Sequence, residues 1–419
     1  MRLSTAMFIL VGGVYLGIVL YVPMPTDMDA KMEFYWKTVG FKFSKSIMYL
    51  EYLVRGGSTI DFSVLQNILT CLATVYRVGA PLIRNSEGST VTLDDTTFDG
   101  VRVLFYQRTD GSQEKRPAFI YLHGGGLTIG SVDIFEIGTR EIAGHLDGMV
   151  VISVDYRLAP KHPFPAAYDD GLAATKWLMR HADVYGVDPT RIAIGGDSAG
   201  GYLTAAIVQA IHDDPTLPNV RLQVHLFPWL QHFDYQTPSY QKNAHVFGEK
   251  TWLENSIPGF CFSAYFNGVL NDSLVEQMTT NNHISAAFKN SPLYRKIFNH
   301  SLIPKDFRDP AYYTPPQSSD FGNEAIWNEL KDVVLDTRFS PILREDMRGL
   351  PKAYIATCGY DPLRDDGIFY FHRLKDAGVD VFWVNYDAAF HGLDWYHPLH
   401  SETGKQLQRG FINFIKDNI

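Results

Sequence analysis

Arg191-Ile192-Ala193-Ile194-Gly195-Gly196-Asp197-Ser198-Ala199-Gly200-Gly201 runs from an apolar segment through a glycine-rich turn into the helix-like stretch Tyr202 to His212. It reads as strand, tight turn and helix, with a serine at the apex. A G-x-S-x-G pattern is short enough to arise by chance, so its flanks carry the argument. Small residues on both sides permit a bend sharp enough to lift Ser198 Oγ clear of a sheet edge, where it is exposed as a nucleophile.

Short β-branched or apolar runs at Val101 to Tyr106, Ala118 to Leu122, Val150 to Tyr156 and Leu222 to Phe227 alternate with helical stretches such as Ala166 to His181. Strands alternating with helices predict βαβ units: an α/β fold with a mostly parallel central sheet and helices on both faces. The alternation stops between about residues 231 and 335, where Pro, Asn, Tyr and Ser accumulate, as in Tyr312-Tyr313-Thr314-Pro315-Pro316. That region reads as an inserted helical and loop segment. The alternation resumes with Ala353 to Cys358, a helix from about Asp365 to Ala377, the strand Val381 to Tyr386 and a last helix from Thr403 to Asn418.

An activated serine needs a base, and the base needs an orienting carboxylate. Asp361 follows the strand ending at Cys358, and Pro362 after it disfavours helix, which suits a loop position. His391 follows the strand ending at Tyr386, in Phe390-His391-Gly392. Asp365 and Asp366 compete with Asp361, but they stand in the first turn of a helix, where acids favour the dipole. His372 falls mid-helix, and His397 and His400 lie beyond the loop. The expected catalytic set is Ser198, Asp361 and His391. Acyl transfer also needs donors aimed at a developing oxyanion. His123-Gly124-Gly125-Gly126 follows the strand ending at Leu122, and the N–H groups of Gly124, Gly125 and Ala199 are the expected donors. No GK[ST] follows these glycines, which excludes a P-loop. Gly124, Gly126 and Gly130 miss the G-x-G-x-x-G spacing of a dinucleotide site by one residue.

The whole chain sets wider bounds. It has 419 residues, a formal charge of -9 and no long basic run, which argues against nucleic acid as a partner. Ala6 to Val22 is uncharged and, as a helix, about 25 Å long. With Arg2 before it and Asp27 and Asp29 after it, the stretch predicts a retained signal anchor. The expected domains are an N-terminal transmembrane anchor over 1–23, a lid or cap segment over 24–95, and a catalytic domain over 96–419 with a lid insertion at about 231–335. The expected location is the endoplasmic reticulum membrane, single-pass type II, with a lumenal body held to the bilayer by the anchor. Met32 to Val54 is basic and aromatic, suited to a lid or a lipid-facing helix. Sequons at Asn271 and Asn299 are glycosylation candidates. Cys71, Cys261 and Cys358 permit one disulfide at most, and their spacing does not suit a metal site.

The HGGG loop, Asp155-Tyr156-Arg157-Leu158-Ala159-Pro160 with the following Lys161 to Ala167, the GDSAGG turn, Asp361-Pro362-Leu363-Arg364-Asp365 and Phe390-His391-Gly392 together resemble the hormone-sensitive-lipase-like branch of the α/β-hydrolases. With the N-terminal segment, the chain is most similar to the arylacetamide deacetylase group. The resemblance implies an α/β-hydrolase fold, a lid built from the N-terminal segment and the insertion, and no cofactor. It further implies hydrolysis of carboxylic esters, acetylated amides or neutral lipid esters, with an apolar ester or acylated small molecule as substrate. Tyr156, Arg157 and His162 are then expected to support the site without reacting. Some relatives carry a cysteine in the oxyanion loop that pairs with the counterpart of Cys358; this chain has Leu127-Thr128 there. The alternative from another class is a non-catalytic lipid- or partner-binding protein that keeps the fold.

Overall fold

The computed structural model describes residues 13–54, 91–108, 115–248, 250–316, 318–393 and 401–419. Among the described residues, eight strands form one sheet: β1 (Val91–Phe98), β2 (Val101–Arg108), β3 (Arg116–Leu122), β4 (Val150–Val154), β5 (Val187–Asp197), β6 (Leu222–Leu226), β7 (Lys352–Tyr360) and β8 (Val381–Phe390). Their spatial order is β1-β2-β4-β3-β5-β6-β7-β8. β1 with β2 and β2 with β4 are antiparallel, and all other pairs are parallel. This is an α/β-hydrolase fold.

Helices cover both faces, so β3, β4 and β6 are buried along their whole length. Alternate residues serve opposite layers. Ile120, Ile192 and Ile194 face the helices Ala166–Arg180, Ala199–His212 and Arg364–Asp376. Phe119, Tyr121 and Ala193 face Glu136–His145 and Glu402–Asn418. The register pairs Leu122 with Gly196, Asp197 with Leu226, and Tyr360 with Phe390. The carboxyl ends of β3, β5, β6, β7 and β8 therefore open onto one crevice, where α/β sheets place their ligands.

Between β6 and β7 the chain forms the helices Pro238–Phe247, Ser256–Asn267, Asp272–Thr279 and Glu324–Val334, with shorter turns among them. Asn271 and Asn323 cap two of these helices through their side-chain oxygens. A polar cluster ties parts of this insertion to one another. His300 Nε2 lies 2.7 Å from Asp234 Oδ2, and Asn281 donates to Asp234 Oδ1 at 2.7 Å. The helix Lys31–Val54 adds a second cover. Its Phe34 is fully buried between Phe247 and Phe390, with ring centroids 5.2 and 5.1 Å away.

The expected transmembrane signal anchor is corrected by the structure. No helix among the described residues is long and apolar enough to cross a membrane. Among the described residues of this stretch, 13–20 are helical. The chain then turns, and Lys42 Nζ donates to the carbonyls of Tyr21 and Ile18 at 2.6 and 3.0 Å. Val19 is buried and Val22 packs against the core. Apolarity read in sequence as lipid contact is thus partly spent on packing against the protein. The bilayer as a partner of the N-terminal helix, and the single-pass type II location in the endoplasmic reticulum membrane, fall with the anchor. Residues 1–12 of that stretch lie outside the described residues, as do 55–90 of the expected cap segment, Cys71, His397 and His400.

Two elements escaped the sequence reading: the edge strand β1 and the helix Glu136–His145. β8 also runs four residues beyond the expected Tyr386, to Phe390. Cys261 and Cys358 are free, and burial pushes the Cys358 thiol pKa well above its ordinary value.

Candidate active site

Ser198 stands between β5 and the helix Ala199–His212, at φ +52° and ψ −117°. A non-glycine residue at positive φ is strained, and neighbouring hydrogen bonds hold it there. Ser198 N donates to Leu226 O at 2.8 Å, and Trp229 N donates to Ser198 O at 3.0 Å. The turn also needs room beside β3. A Cβ on Gly200 would stand 1.9 Å from Leu122 O, so only glycine lets the helix start this close to the sheet.

β7 delivers Asp361 and β8 delivers His391, each directly after its last residue. His391 Nδ1 lies 2.9 Å from Asp361 Oδ2, and His391 Nε2 lies 2.9 Å from Ser198 Oγ. Asp361 is buried, and its other oxygen accepts Leu363 N at 2.7 Å. The carboxylate is thereby fixed at both oxygens, one on His391 Nδ1 and one on Leu363 N. The imidazole is held between Phe227 and Trp252, at centroid distances of 5.1 and 6.1 Å. The structure thus brings Ser198, Asp361 and His391 into one hydrogen-bonded line.

Asp365 and Asp366 stand in the first turn of the helix Arg364–Asp376, as expected, and both are fully buried. Asp365 accepts Ser239 N and pairs with Arg364. Asp366 accepts Leu230 N and Gln231 Nε2 at 3.1 and 3.0 Å, and burial raises its pKa well above the carboxylate range. Asp366 stitches the loop after β6, and Asp365 the helix Pro238–Phe247, to the helix Arg364–Asp376.

The glycine loop differs from expectation at one residue. Gly124 N donates to Asp197 Oδ1 at 2.7 Å, so this N–H is committed within the protein and is unavailable to a substrate oxygen. Tyr121 Oη donates to the same oxygen. Burial raises the Asp197 pKa to about 6, with Tyr121, His391 and Gly124 opposing the rise. The N–H groups of Gly125, Gly126 and Ala199 have no hydrogen-bond acceptor among the described residues. Gly126 sits at φ +61°, and a Cβ there would come within 2.3 Å of Cys261 Sγ. The lid therefore packs directly on this loop. His123 is stacked between Tyr156 and Phe135, at 4.2 and 5.1 Å, and Tyr156 Oη donates to His123 O. Arg157 clamps Asp170 through both carboxylate oxygens. Among the described residues no group of His, Cys, Asp and Glu is arranged to hold a metal ion.

Comparison with known proteins agrees with this arrangement. Residues 119–282 and 272–394 match the family described as alpha/beta hydrolase fold. The arylacetamide deacetylase of Bos taurus is 34% identical over 418 residues, covering 98% of both chains. The chain belongs to the arylacetamide-deacetylase branch of the α/β-hydrolases. The neutral cholesterol ester hydrolase 1 of Pongo abelii is 35% identical over 422 residues and 96% of both chains. A solved hyperthermophilic esterase from Pyrobaculum calidifontis superposes with a TM-score of 0.58 at 28% identity, covering 85% of this chain and 94% of that one. The metagenomic carboxylesterase EstE1 gives a TM-score of 0.60 at 25% identity, over 85% and 97%. Family membership and the serine–histidine–aspartate arrangement make this protein a carboxylic ester hydrolase of the serine type.

Proposed function

We propose that Ser198 is the nucleophile, His391 the general base and Asp361 its orienting carboxylate, with the N–H groups of Gly125, Gly126 and Ala199 forming the oxyanion hole. The observation that carries this reading is the unbroken line from Asp361 Oδ2 through His391 to Ser198 Oγ, 2.9 Å at each step. Ser198 Oγ attacks the ester carbonyl as His391 Nε2 takes its proton. The carbonyl oxygen, now anionic, meets the free amides. His391 then gives the proton to the departing alkoxide, and the acyl group remains on Ser198. Water, deprotonated by the same imidazole, attacks the acyl-enzyme and releases the acid.

The substrate is an uncharged carboxylic ester with a substantial apolar part, and acetylated arylamines and neutral lipid esters are the next candidates. Support comes from the aromatic surround of His391, the apolar lid helices, and relatives named arylacetamide deacetylase and neutral cholesterol ester hydrolase. The lid comprises the helix Lys31–Val54 and the insertion after β6. A chain-length series of p-nitrophenyl esters, run beside an acetylated arylamine with wild type and Ser198→Ala, tests the assignment. Turnover is expected for the esters and a loss of about 10³-fold or more in the variant. Equal turnover in Ser198→Ala would overturn the assignment.

A further inference from the structure

We propose that Lys37, on the N-terminal helix Lys31–Val54, is a positioning residue for the base His391 and that this helix is a working part of the active site as well as its cover. The inference rests on the assignment of His391 as base. Lys37 Nζ donates to the carbonyl oxygen of Gly392 at 2.6 Å, across 355 positions of sequence. Gly392 is the residue directly after His391, so the ammonium grips the backbone that carries the imidazole. The same ammonium stands 5.4 Å from the Phe390 ring centroid, on the other side of His391, and pairs with Glu33 one turn earlier.

The remaining contacts act on the same short loop. Phe34, one turn before Lys37 on the same helix face, packs edge-on against Phe390. The segment before the helix fastens the two strands that deliver the base and its carboxylate. Asp29 N donates to Ala388 O on β8 at 2.9 Å, and Tyr360 Oη on β7 donates to Asp27. Within the body, His391 N donates to Tyr360 O at 3.2 Å and Leu393 N to Phe390 O at 3.2 Å. The Gly392 carbonyl thus gains its grip from a segment remote in sequence. A displacement of about 1 Å at a reacting group costs up to about 10²-fold in rate, so a charged hydrogen bond on this carbonyl bears directly on turnover.

The test compares Lys37→Met, Lys37→Arg and Lys42→Met in the full chain, with steady-state kinetics on p-nitrophenyl butyrate and thermal melts. Met keeps the stem over Phe390 and removes the donor, and kcat should fall about tenfold or more with KM within twofold of wild type. Arg restores the donor and should recover most of kcat. Lys42→Met removes an ammonium of the same helix that bonds the Ile18 and Tyr21 carbonyls, away from the His391 loop, so it should keep kcat within about threefold. Lys37→Gln, a shorter neutral donor, replaces Met if that variant does not fold, with an intermediate kcat expected. Unchanged kcat in Lys37→Met, no recovery in Lys37→Arg, or an equal kcat loss in Lys42→Met would overturn the positioning role. Wild-type protein lacking esterase activity, or Ser198→Ala retaining it, would instead defeat the underlying assignment.

Discussion

Replacing Asp361 with Asn changes one atom and reverses the hydrogen-bond logic of the site. In the native protein Asp361 Oδ1 accepts Leu363 N at 2.7 Å and Oδ2 faces His391 Nδ1 at 2.9 Å. An asparagine retains its carbonyl oxygen on Leu363 N, because the alternative flip would set an amide N–H against a backbone N–H. Its NH₂ group is then turned toward His391 Nδ1. That nitrogen becomes the acceptor, and the imidazole proton moves to Nε2, 2.9 Å from Ser198 Oγ, where a base must have a lone pair. An inverted tautomer of this kind costs about 10⁴ in kcat, or about 5.4 kcal/mol at 1.36 kcal/mol per decade. Folding should change little, since Asn fills the same buried space and keeps the Leu363 contact. Initial rates on p-nitrophenyl butyrate, with a thermal melt on the same sample, read both quantities. A fall of less than tenfold in kcat in a protein with native Tm would refute the assigned role.

Three further outcomes follow from groups outside that line. Asp197 has its pKa raised by burial from 3.8 to about 6, so the folded protein binds this proton more tightly than the unfolded chain, and stability falls as pH rises from about 4 to about 6. Asp197→Asn retains an acceptor for Gly124 N and should remove about 2 kcal/mol of the stability difference between pH 4.5 and pH 8, read from urea unfolding at the two values; an unaltered difference contradicts it. His300 is raised above 6.5 because Asp234 outweighs burial, so its pairing is fully present below 6.5 and fades as pH rises through the raised value. His300→Ala should cost about 3 kcal/mol at pH 6 by leaving Asp234 buried without its cation, and a cost below about 1 kcal/mol in the same unfolding assay would show the pair to be unimportant. Gly200→Ala drives a Cβ to 1.9 Å from Leu122 O and should abolish activity or folding; a stable, active variant would mean that β3 and the serine turn are not in contact.

Much of the site was legible because its parts are local. The serine turn, the glycine loop and the two late strands each announce themselves by composition over a few residues, and the order of the elements then places Asp361 and His391 after β7 and β8. Gly124 was misjudged because the partner of its N–H is a tertiary fact. Asp197 lies 73 positions later and meets the loop only when β3 and β5 pair. β1 was overlooked for a related reason. Its interior Asp94-Asp95-Thr96-Thr97 is polar and mostly exposed, as suits an edge strand, so no apolar run marks it. β8 passes through an irregularity at Asp387-Ala388-Ala389, residues of low strand propensity, and pairs with β7 again at Phe390 opposite Tyr360, which no apolar alternation announces. The N-terminal segment shows the converse error: its apolar run reads as a span, yet no helix among the described residues is long and apolar enough to cross a membrane, and Val19 is buried while Val14, Leu16 and Ile18 are exposed. Lys37 is, in sequence, one of several lysines in a basic, aromatic stretch. Its grip on Gly392 depends on a docking geometry that no local pattern encodes.

The central claim is that Ser198 is the single activated nucleophile of this protein. Intact-mass and peptide mass spectrometry of the folded chain treated with a fluorophosphonate probe tests it most directly. One adduct per chain, located on Ser198 and forming in step with loss of p-nitrophenyl butyrate hydrolysis, is the predicted result. Full loss of hydrolysis with the adduct on another residue, or a folded and active protein that takes no label at Ser198, would contradict it.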